Sequence, residues 1–438
     1  MKYIVTLLVL SLSLQIDAQS LDKEKLNAFF DLVETNQKNM GSLSIFKGGK
    51  EVYQRSIGFS DVEQNMKANA NTKYRIGSIS KTFTAVIIMQ LLEEEKLRLD
   101  TKLSEYYPDF GNADAITIEH LLRHRSGLFN FTNSPEYTTW MEEKQNKESL
   151  LEKMLAGGNN FSPGERIEYS NTGYVLLSYI IEDIEKKDFG EILTSRITDP
   201  LDLKSTYYGG KIDSNKDEAL SYLDGSGSAL ATETDMSVPE GAGAIVSTPG
   251  DLNHFFTALF TGKLVSESSL ELMTTMKDNY GFGLFEFPFY DKRATGHNGG
   301  IDGFASSSGY FRDDSLAITY VTNGSSWQLN NIMIAALSIY YGKEYEFPEF
   351  KTAFAVDPDQ LEKYIGVYSS ASFPLKITVT QKGINLMAQA TGQSAFFLEP
   401  TAEHIFRFEQ AGLVMEFNPD ESSMVLKQGG GEFKLSKE

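Results

Sequence analysis

The 438-residue chain contains no cysteine, and this absence excludes several kinds of chemistry. Disulfide bonds, thiolate metal sites and cysteine nucleophiles are all ruled out. Basic residues are also few beside acidic ones, which gives a formal net charge of −20 at pH 7. So acidic a chain is a poor partner for nucleic acid or for an anionic membrane surface. A hydrophobic fraction of 41% is ample for a globular protein, and the length predicts about two to three domains.

Long apolar runs are scarce, and the one at the N-terminus predicts export. Residues 1–18 contain Lys2, an apolar run from Ile4 to Leu14 and a plausible cleavage site at Ala18, as in a secretory signal peptide. An uncleaved anchor is the alternative, but the run is shorter than the ~20 apolar residues that span a bilayer. We expect a periplasmic or extracellular protein with no stable membrane span after cleavage.

The pattern of apolar residues divides the remainder into two folded parts. Residues 19–342 mix helical and strand-like stretches, which predicts an α+β domain with an antiparallel sheet. Three strands are predicted near its end, at 281–287, 296–304 and 305–323. Residues 343–359 are charged, contain two prolines and predict a linker. Residues 360–438 carry about eight short alternating runs, typical of a small all-β barrel or sandwich.

A serine and a lysine three residues apart, Ser78 and Lys81, precede a nearly continuous apolar run from Thr82 to Leu92. The run predicts a helix buried on all sides. Positions three apart share one face of a helix, so the hydroxyl and the amine are expected to be neighbours. The lysine can then act as a base for the serine if burial lowers its pKa from ~10.4 to about 7–8. The alternative is a helix-capping serine beside a lysine that reaches solvent.

Spacing alone is a weak signal, because Ser44 and Lys47 show the same Ser-x-x-Lys pattern. They precede Gly48 and Gly49 in an alternating stretch that predicts a β-hairpin. Residues three apart in a strand point to opposite faces, so this pair is not expected to meet.

His120 and His124 have the i, i+4 spacing of helical zinc ligands, but no glutamate lies between them and arginines flank His124. Structural roles are therefore favoured for both histidines, and no metal or cofactor is predicted.

Two further motifs supply groups for proton transfer and substrate binding. Tyr169 and Asn171 form the chain's only Tyr-x-Asn, in which the phenol could relay protons and the carboxamide could hold both Lys81 and a substrate carbonyl. His297 and Gly299 form its only His-x-Gly, predicted to open a strand whose glycines admit a substrate backbone. Taken singly, each motif has a plain alternative as a core tyrosine or a turn histidine.

In this order the three motifs resemble those of the penicillin-recognising serine hydrolases. This family includes class C β-lactamases, D-alanyl-D-alanine carboxypeptidases, D-aminopeptidases and esterases. Stretches at 121–128, 163–164, 200–203 and 243–252 add to the resemblance, which spans about residues 26–341. It implies a β-lactamase/transpeptidase-like domain whose sheet is flanked by helices, with a helical subdomain. The tail from Asp357 is similar to the lipocalin-like β-domain that many members append.

The resemblance implies that Ser78 is acylated, with Lys81 as its base and Tyr169 assisting proton transfer. Asn171 would bind the substrate amide, beside the substrate-binding glycines Gly299 and Gly300. The oxyanion hole would consist of the backbone N–H groups of Ser78 and Gly300, and losing one such donor costs ~3–4 kcal/mol of barrier stabilisation.

His297 would line the pocket where class C β-lactamases have a lysine. A histidine with a pKa of ~6.5 carries only a partial charge at neutral pH, which favours the carboxypeptidase and esterase branches.

Three functions follow from this resemblance. The favoured one is an exported serine hydrolase of amides or esters that forms an acyl-enzyme, with D-amino-acid peptides or esters as substrates. The second is a non-catalytic sensor of penicillin or peptidoglycan fragments, in which the C-terminal barrel holds a ligand or partner. The third is a class C-like β-lactamase. In each case the ligand is a small molecule or peptide, including those derived from cell walls, and the oligomeric state stays open.

Overall fold

A computed structural model describes residues 21–350, 356–382, 385–391, 395–408 and 411–438. The predicted signal peptide, residues 1–18, and part of the predicted linker, residues 351–355, lie outside the described residues. Within the described ranges, no helix combines the length and the apolar character needed to cross a membrane.

The first domain is built on an antiparallel sheet, as predicted. Its strands, in chain order, are β1 (Asn39–Lys47), β2 (Lys50–Ile57), β3 (Phe59–Asp61), β4 (Met66–Lys67), β5 (Tyr74–Arg75), β6 (Tyr207–Tyr208), β7 (Ile245–Ser247), β8 (Phe285–Phe289), β9 (Lys292–Ile301), β10 (Phe304–Phe311) and β11 (Leu316–Ser325). The central sheet has the order β2-β1-β11-β10-β9-β8, and β5, β7 and β6 form a small second sheet. The mixed α+β prediction is therefore confirmed.

Helices cover both faces of the central sheet, because its side chains alternate between them. On β11, Ile318 and Tyr320 join the core formed with the first and last helices, whereas Ala317 and Val321 join the larger core on the other face. The helices are α1 (Lys23–Thr35), α2 (Ser80–Glu93), α3 (Ile118–Leu122), α4 (Tyr137–Trp140), α5 (Lys147–Gly157), α6 (Asn171–Glu185), α7 (Phe189–Leu193), α8 (Asp199–Leu201), α9 (Glu240–Gly243), α10 (Pro249–Phe260), α11 (Glu267–Thr274) and α12 (Leu329–Tyr340).

The apolar run after Thr82 forms α2, whose residues from Ser80 to Met89 are all buried. This confirms the predicted internal helix. Phe83 stacks on Phe255 of α10, with ring centroids 3.7 Å apart. A short 3-10 turn, Gly77–Ile79, precedes α2 and contains Ser78.

The strands near residue 297 differ from the prediction. The stretch predicted as one strand at 305–323 is two strands, β10 and β11, separated by a turn at 312–315. The strand that carries His297 begins at Lys292 rather than at His297. Its neighbour β8 pairs with it only as far as Phe285 and Gly296, so residues 297–301 extend beyond the end of β8.

The C-terminal part is a closed antiparallel barrel, which confirms the predicted all-β domain. Closure comes from pairing between the first and last strands, Tyr368 with Lys437 and Ser369 with Ser436. We propose a domain boundary within residues 343–359, although Tyr345 packs on the core of the first domain. The barrel strands are β12 (Gly366–Ser370), β13 (Phe373–Lys382), β14 (Asn385–Ala390), β15 (Phe396–Ala402), β16 (Ile405–Phe408), β17 (Leu413–Asn418), β18 (Ser423–Gln428) and β19 (Gly431–Lys437).

Candidate active site

Ser78 and Lys81 are neighbours, as their spacing predicted. The Nζ atom of Lys81 lies 2.9 Å from the Oγ atom of Ser78. Ser78 is half-buried, whereas the Lys81 side chain is 0% exposed at the start of α2. The hydroxyl is thus within reach of a ligand, and the amine lies behind it in the protein interior.

Two carbonyl oxygens hold the amine of Lys81. Nζ donates to Asn171 Oδ1 at 2.8 Å and to the backbone oxygen of Ala242 at 2.7 Å. Burial lowers the pKa of Lys81 well below its usual range, because the charged form loses its hydration. A neutral amine has two N–H donors and one lone pair. With both donors directed at the carbonyls, the lone pair is free to accept the Ser78 proton.

Tyr169 lies beside this pair, with its ring centroid 5.0 Å from Lys81 Nζ. Burial raises the pKa of Tyr169, while a hydrogen bond with Ser78 lowers it by a smaller amount. The phenol therefore stays protonated at neutral pH and can donate a proton.

His124 supports Tyr169 from behind. The two rings stack with centroids 4.2 Å apart, and His124 Nδ1 accepts the backbone N–H of Ser170 at 3.2 Å. From its spacing to His120, His124 is predicted to be either a metal ligand or a structural residue. Its position in the 121–128 stretch was the available signal for a place near the site. Among the described residues, no group of three or more His, Cys, Asp or Glu side chains could hold a metal ion.

The carboxamide of Asn171, the first residue of α6, has a fixed orientation. Its Nδ2 atom donates to Thr132 Oγ1 at 3.1 Å, which leaves Oδ1 directed at Lys81. The backbone N–H of Asn171 donates to Asn130 Oδ1 at 3.0 Å. Thr132 and Asn130 were not predicted from the sequence, since neither belongs to a periodic pattern or a recognised motif.

The glycines of β9 allow its backbone to touch the turn that carries Ser78. A Cβ atom on Gly77 would lie 2.7 Å from the nitrogen of Gly300, and one on Gly299 would lie 2.0 Å from the oxygen of Ile76. Side chains at Gly77 and Gly299 would therefore force the two backbones apart. Gly299 thus serves close packing, whereas Gly300 is exposed beside the nucleophile turn.

His297 is buried and neutral. It is 3% exposed, and its ring meets Phe285 edge-on with centroids 4.8 Å apart. Burial is the main cause that lowers the pKa of His297 to about 3, and a positive charge on Lys81 acts in the same direction. The partial charge expected at neutral pH is therefore wrong, because a solvated histidine is a poor reference for a side chain enclosed within a strand.

A buried ion pair, also absent from the sequence predictions, links the nucleophile segment to the turn after Gly300. Arg75 Nη1 donates to Asp302 Oδ2 at 2.9 Å, and both side chains are almost fully buried. The other carboxylate oxygen accepts the Thr234 hydroxyl at 2.6 Å. This pair joins β5 to the end of β9, the two elements that flank Ser78.

Comparison with known proteins agrees with this geometry. A model of the Beta-lactamase family matches residues 27–337. Penicillin-binding protein 4* of Bacillus subtilis (strain 168) is 25% identical over 94% of this chain and 97% of its own length. Teichoic acid D-alanine hydrolase of Staphylococcus aureus is 27% identical over 60% of this chain and 65% of its own length. The structure of D-amino acid amidase from Ochrobactrum anthropi SV3 complexed with L-phenylalanine has a TM-score of 0.65 and 26% identity, over 74% of this chain and 98% of that chain. The chain therefore belongs to the Beta-lactamase family and is a serine hydrolase.

Proposed function

We propose that this serine hydrolase is exported and cleaves amide or ester bonds through an acyl-enzyme at Ser78. The observation that carries the proposal is the 2.9 Å contact between Ser78 Oγ and a fully buried Lys81 Nζ whose two other contacts are carbonyl oxygens. Burial favours the neutral form of an amine in this setting, and the neutral form can accept a proton. A serine hydroxyl needs such a base to become nucleophilic.

In the proposed acylation step, Ser78 Oγ attacks the substrate carbonyl carbon while its proton moves to Lys81 Nζ. The carbonyl oxygen becomes an oxyanion, which accepts hydrogen bonds from the backbone N–H groups of Ser78 and Gly300. Collapse of the tetrahedral intermediate breaks the amide or ester bond. The leaving nitrogen or oxygen takes a proton from Tyr169, which is reprotonated from Lys81.

In the proposed deacylation step, water attacks the ester carbon of the acyl-serine and gives up a proton to the Lys81 and Tyr169 pair. Ser78 leaves with a proton, and the acid product departs. Asn171 holds Lys81 in place throughout, since its carboxamide is fixed by Thr132.

We further propose D-amino-acid amides, esters and peptides as the substrate class. The names of two similar proteins support this substrate class: one is a D-amino acid amidase, and the other is a teichoic acid D-alanine hydrolase. The neutral His297 argues against efficient β-lactam turnover, since a β-lactam carboxylate would find no cationic partner at that position. Export rests on the predicted signal peptide at residues 1–18.

Labelling with a fluorophosphonate or a fluorescent penicillin tests the nucleophile. We expect labelling of the wild type that is lost in Ser78→Ala and strongly slowed in Lys81→Met. The matched control is Ser44→Ala, which removes the serine of the other Ser-x-x-Lys pattern. Ser44 lies in the β1–β2 hairpin and bonds to Glu51, so its loss should leave labelling unchanged.

Substrate preference is then measured with D-alanine p-nitrophenyl esters, D-alanyl-D-alanine peptides and nitrocefin. We expect kcat/KM to be higher for at least one D-alanine substrate than for nitrocefin. Labelling that persists in Ser78→Ala would refute the nucleophile assignment. An unlabelled wild type that still binds peptidoglycan fragments would favour the sensor.

A further inference from the structure

A cavity lies between the barrel and the first domain, and its lining includes neither Ser78 nor Lys81. Its volume is about 720 Å³. Ligand sites in proteins commonly enclose about 300–1,000 Å³. The cavity is thus large enough for a small molecule, and its lining residues are separate from the catalytic residues Ser78 and Lys81.

The barrel contributes an apolar wall. Side chains from β13, β15, β17 and β18 point into the cavity, among them Phe373, Leu375, Phe396, Leu413 and Leu426. They sit at the end of the barrel that holds the β16–β17 hairpin, where Phe408 pairs with Leu413.

The opposite end of the barrel is filled by aromatic side chains. Tyr364 packs on Phe406 and on Phe417, each with ring centroids 5.0 Å apart, and the two phenylalanines meet at 5.6 Å. All three are buried. The barrel is therefore a cup with an aromatic floor, open towards the first domain.

The first domain covers the mouth of this cup with the turn at Asp302–Phe304 and the start of α12. Of the described residues that line the cavity, Asp302 alone carries a charge, and its carboxylate is already bonded to Arg75 and Thr234. Asn330, an exposed carboxamide at the mouth, offers a neutral donor and acceptor. An anionic or cationic ligand would consequently lose hydration without gaining a counter-charge, at a high cost in free energy.

We propose that this cavity binds an uncharged small molecule with an apolar chain or ring. The apolar part lies in the mouth of the barrel, between Leu375, Phe396 and Leu413, and the neutral polar end lies near Asn330. Apolar cavities of this kind favour apolar ligands because water gains few hydrogen bonds inside them. The ligand would also touch the turn that follows Gly300, so the site adjoins the active-site strand without sharing its residues.

Fluorescence of the neutral probe N-phenyl-1-naphthylamine tests the site in the full chain. We expect saturable binding, and displacement by 1-decanol at a concentration at least tenfold lower than decanoate requires at pH 8. The two competitors share one chain length and differ in charge, so they isolate the predicted preference for a neutral ligand. Equal displacement by both would overturn it, and so would an absence of saturable probe binding.

Matched variants locate the site. Leu375→Glu and Phe408→Glu each place a charge on the cavity wall at a half-buried position and should weaken probe binding at least tenfold. Val414→Glu is the control, because Val414 adjoins Leu413 on β17 and points to the opposite face of the strand. Its probe binding should stay within twofold of the wild type. Fluorophosphonate labelling and circular dichroism check that each variant is folded. If folded Leu375→Glu and Phe408→Glu bind the probe as the wild type does, this cavity is not the site.

Discussion

Glu240 provides a quantitative test of how burial shapes the region behind the active site. Burial, and then the nearby Glu182, raise its pKa from 4.5 to about 8. Asp188 acts in the same direction, whereas a hydrogen bond with Tyr208 and the charge of Lys147 act against it. Glu240 begins α9, the helix whose Ala242 oxygen holds Lys81. The folded protein therefore carries a carboxyl that prefers to stay protonated.

The sign of the effect on stability follows from the direction of the shift. A carboxyl with a higher pKa in the folded state binds its proton more tightly there, so its contribution is present below pH 4.5. It is lost as the pH rises towards 8, where the folded protein must ionise a buried group. A carboxyl whose pKa is 4.5 in the unfolded chain and about 8 in the folded protein contributes about 5 kcal/mol to the free energy of unfolding at low pH. Between pH 5 and pH 8 the loss amounts to about 3–4 kcal/mol.

Glu240→Gln removes this titration while keeping the side-chain volume. Urea unfolding at pH 5 and pH 8, followed by circular dichroism, gives the free energy of unfolding at each pH. We expect the wild type to lose about 3–4 kcal/mol more than the variant between these pH values. Glu142→Gln, at an exposed glutamate, is the control and should retain the wild-type pH dependence. If Glu240→Gln also retains the wild-type pH dependence, then ionisation of Glu240 does not destabilise the folded protein, and the reasoning from burial fails.

Two further predictions concern the backbone around Ser78. Asp302→Asn leaves the buried guanidinium of Arg75 with Glu233, 3.0 Å away, as its remaining carboxylate partner. The variant should lose about 1.5–3 kcal/mol of stability in urea unfolding and should label more slowly with fluorophosphonate. Unchanged stability would contradict the importance of the pair between Arg75 and Asp302. Gly299→Ala places a Cβ atom 2.0 Å from the oxygen of Ile76 and should slow labelling by about 100-fold through displacement of β9. Gly250→Ala, whose Cβ would meet only ordinary contacts, is its control, and equal labelling rates in both variants would refute the steric argument.

Local patterns carried most of the fold prediction. The run after Thr82 is apolar on nearly all sides, so it was predicted to be buried, and it lies within the buried helix α2. The period-two runs after residue 360 became barrel strands, since alternation is what a one-sided sheet requires. Ser44 and Lys47, predicted not to meet, lie in the β1–β2 hairpin, where Ser44 bonds to Glu51 and Lys47 bonds to the backbone oxygen of Asp314. These successes concern neighbours along the chain, whose geometry depends on few other residues.

Contacts between segments that are distant in the sequence could not be predicted from local patterns. The oxygen of Ala242 reaches Lys81 across 161 positions, and Asp302 reaches Arg75 across 227. Neither contact leaves a periodic trace, because each depends on how whole elements pack. The division of residues 305–323 into two strands was missed for a different reason. Its turn at 312–315 is built from polar residues with Ser315 at φ 47°, and it contains neither glycine nor proline.

The two buried basic side chains on either side of Ser78, Arg75 and Lys81, show why the site needs a lysine and not merely a positive charge. Arg75 lies opposite Asp302, so its charge is compensated, and a guanidinium keeps its proton in any case. Lys81, six residues later, meets only the oxygens of Asn171, Ala242 and Ser78 among its described hydrogen-bond partners. Burial without a compensating carboxylate favours the neutral amine, and only a neutral amine can take a proton from serine. A carboxylate beside Lys81 would raise the pKa of the amine and keep it protonated, so the amine could not accept the proton of Ser78. Burial is therefore compatible with a charged guanidinium where carboxylates lie beside it, and it creates a base where an amine has only neutral oxygens as partners.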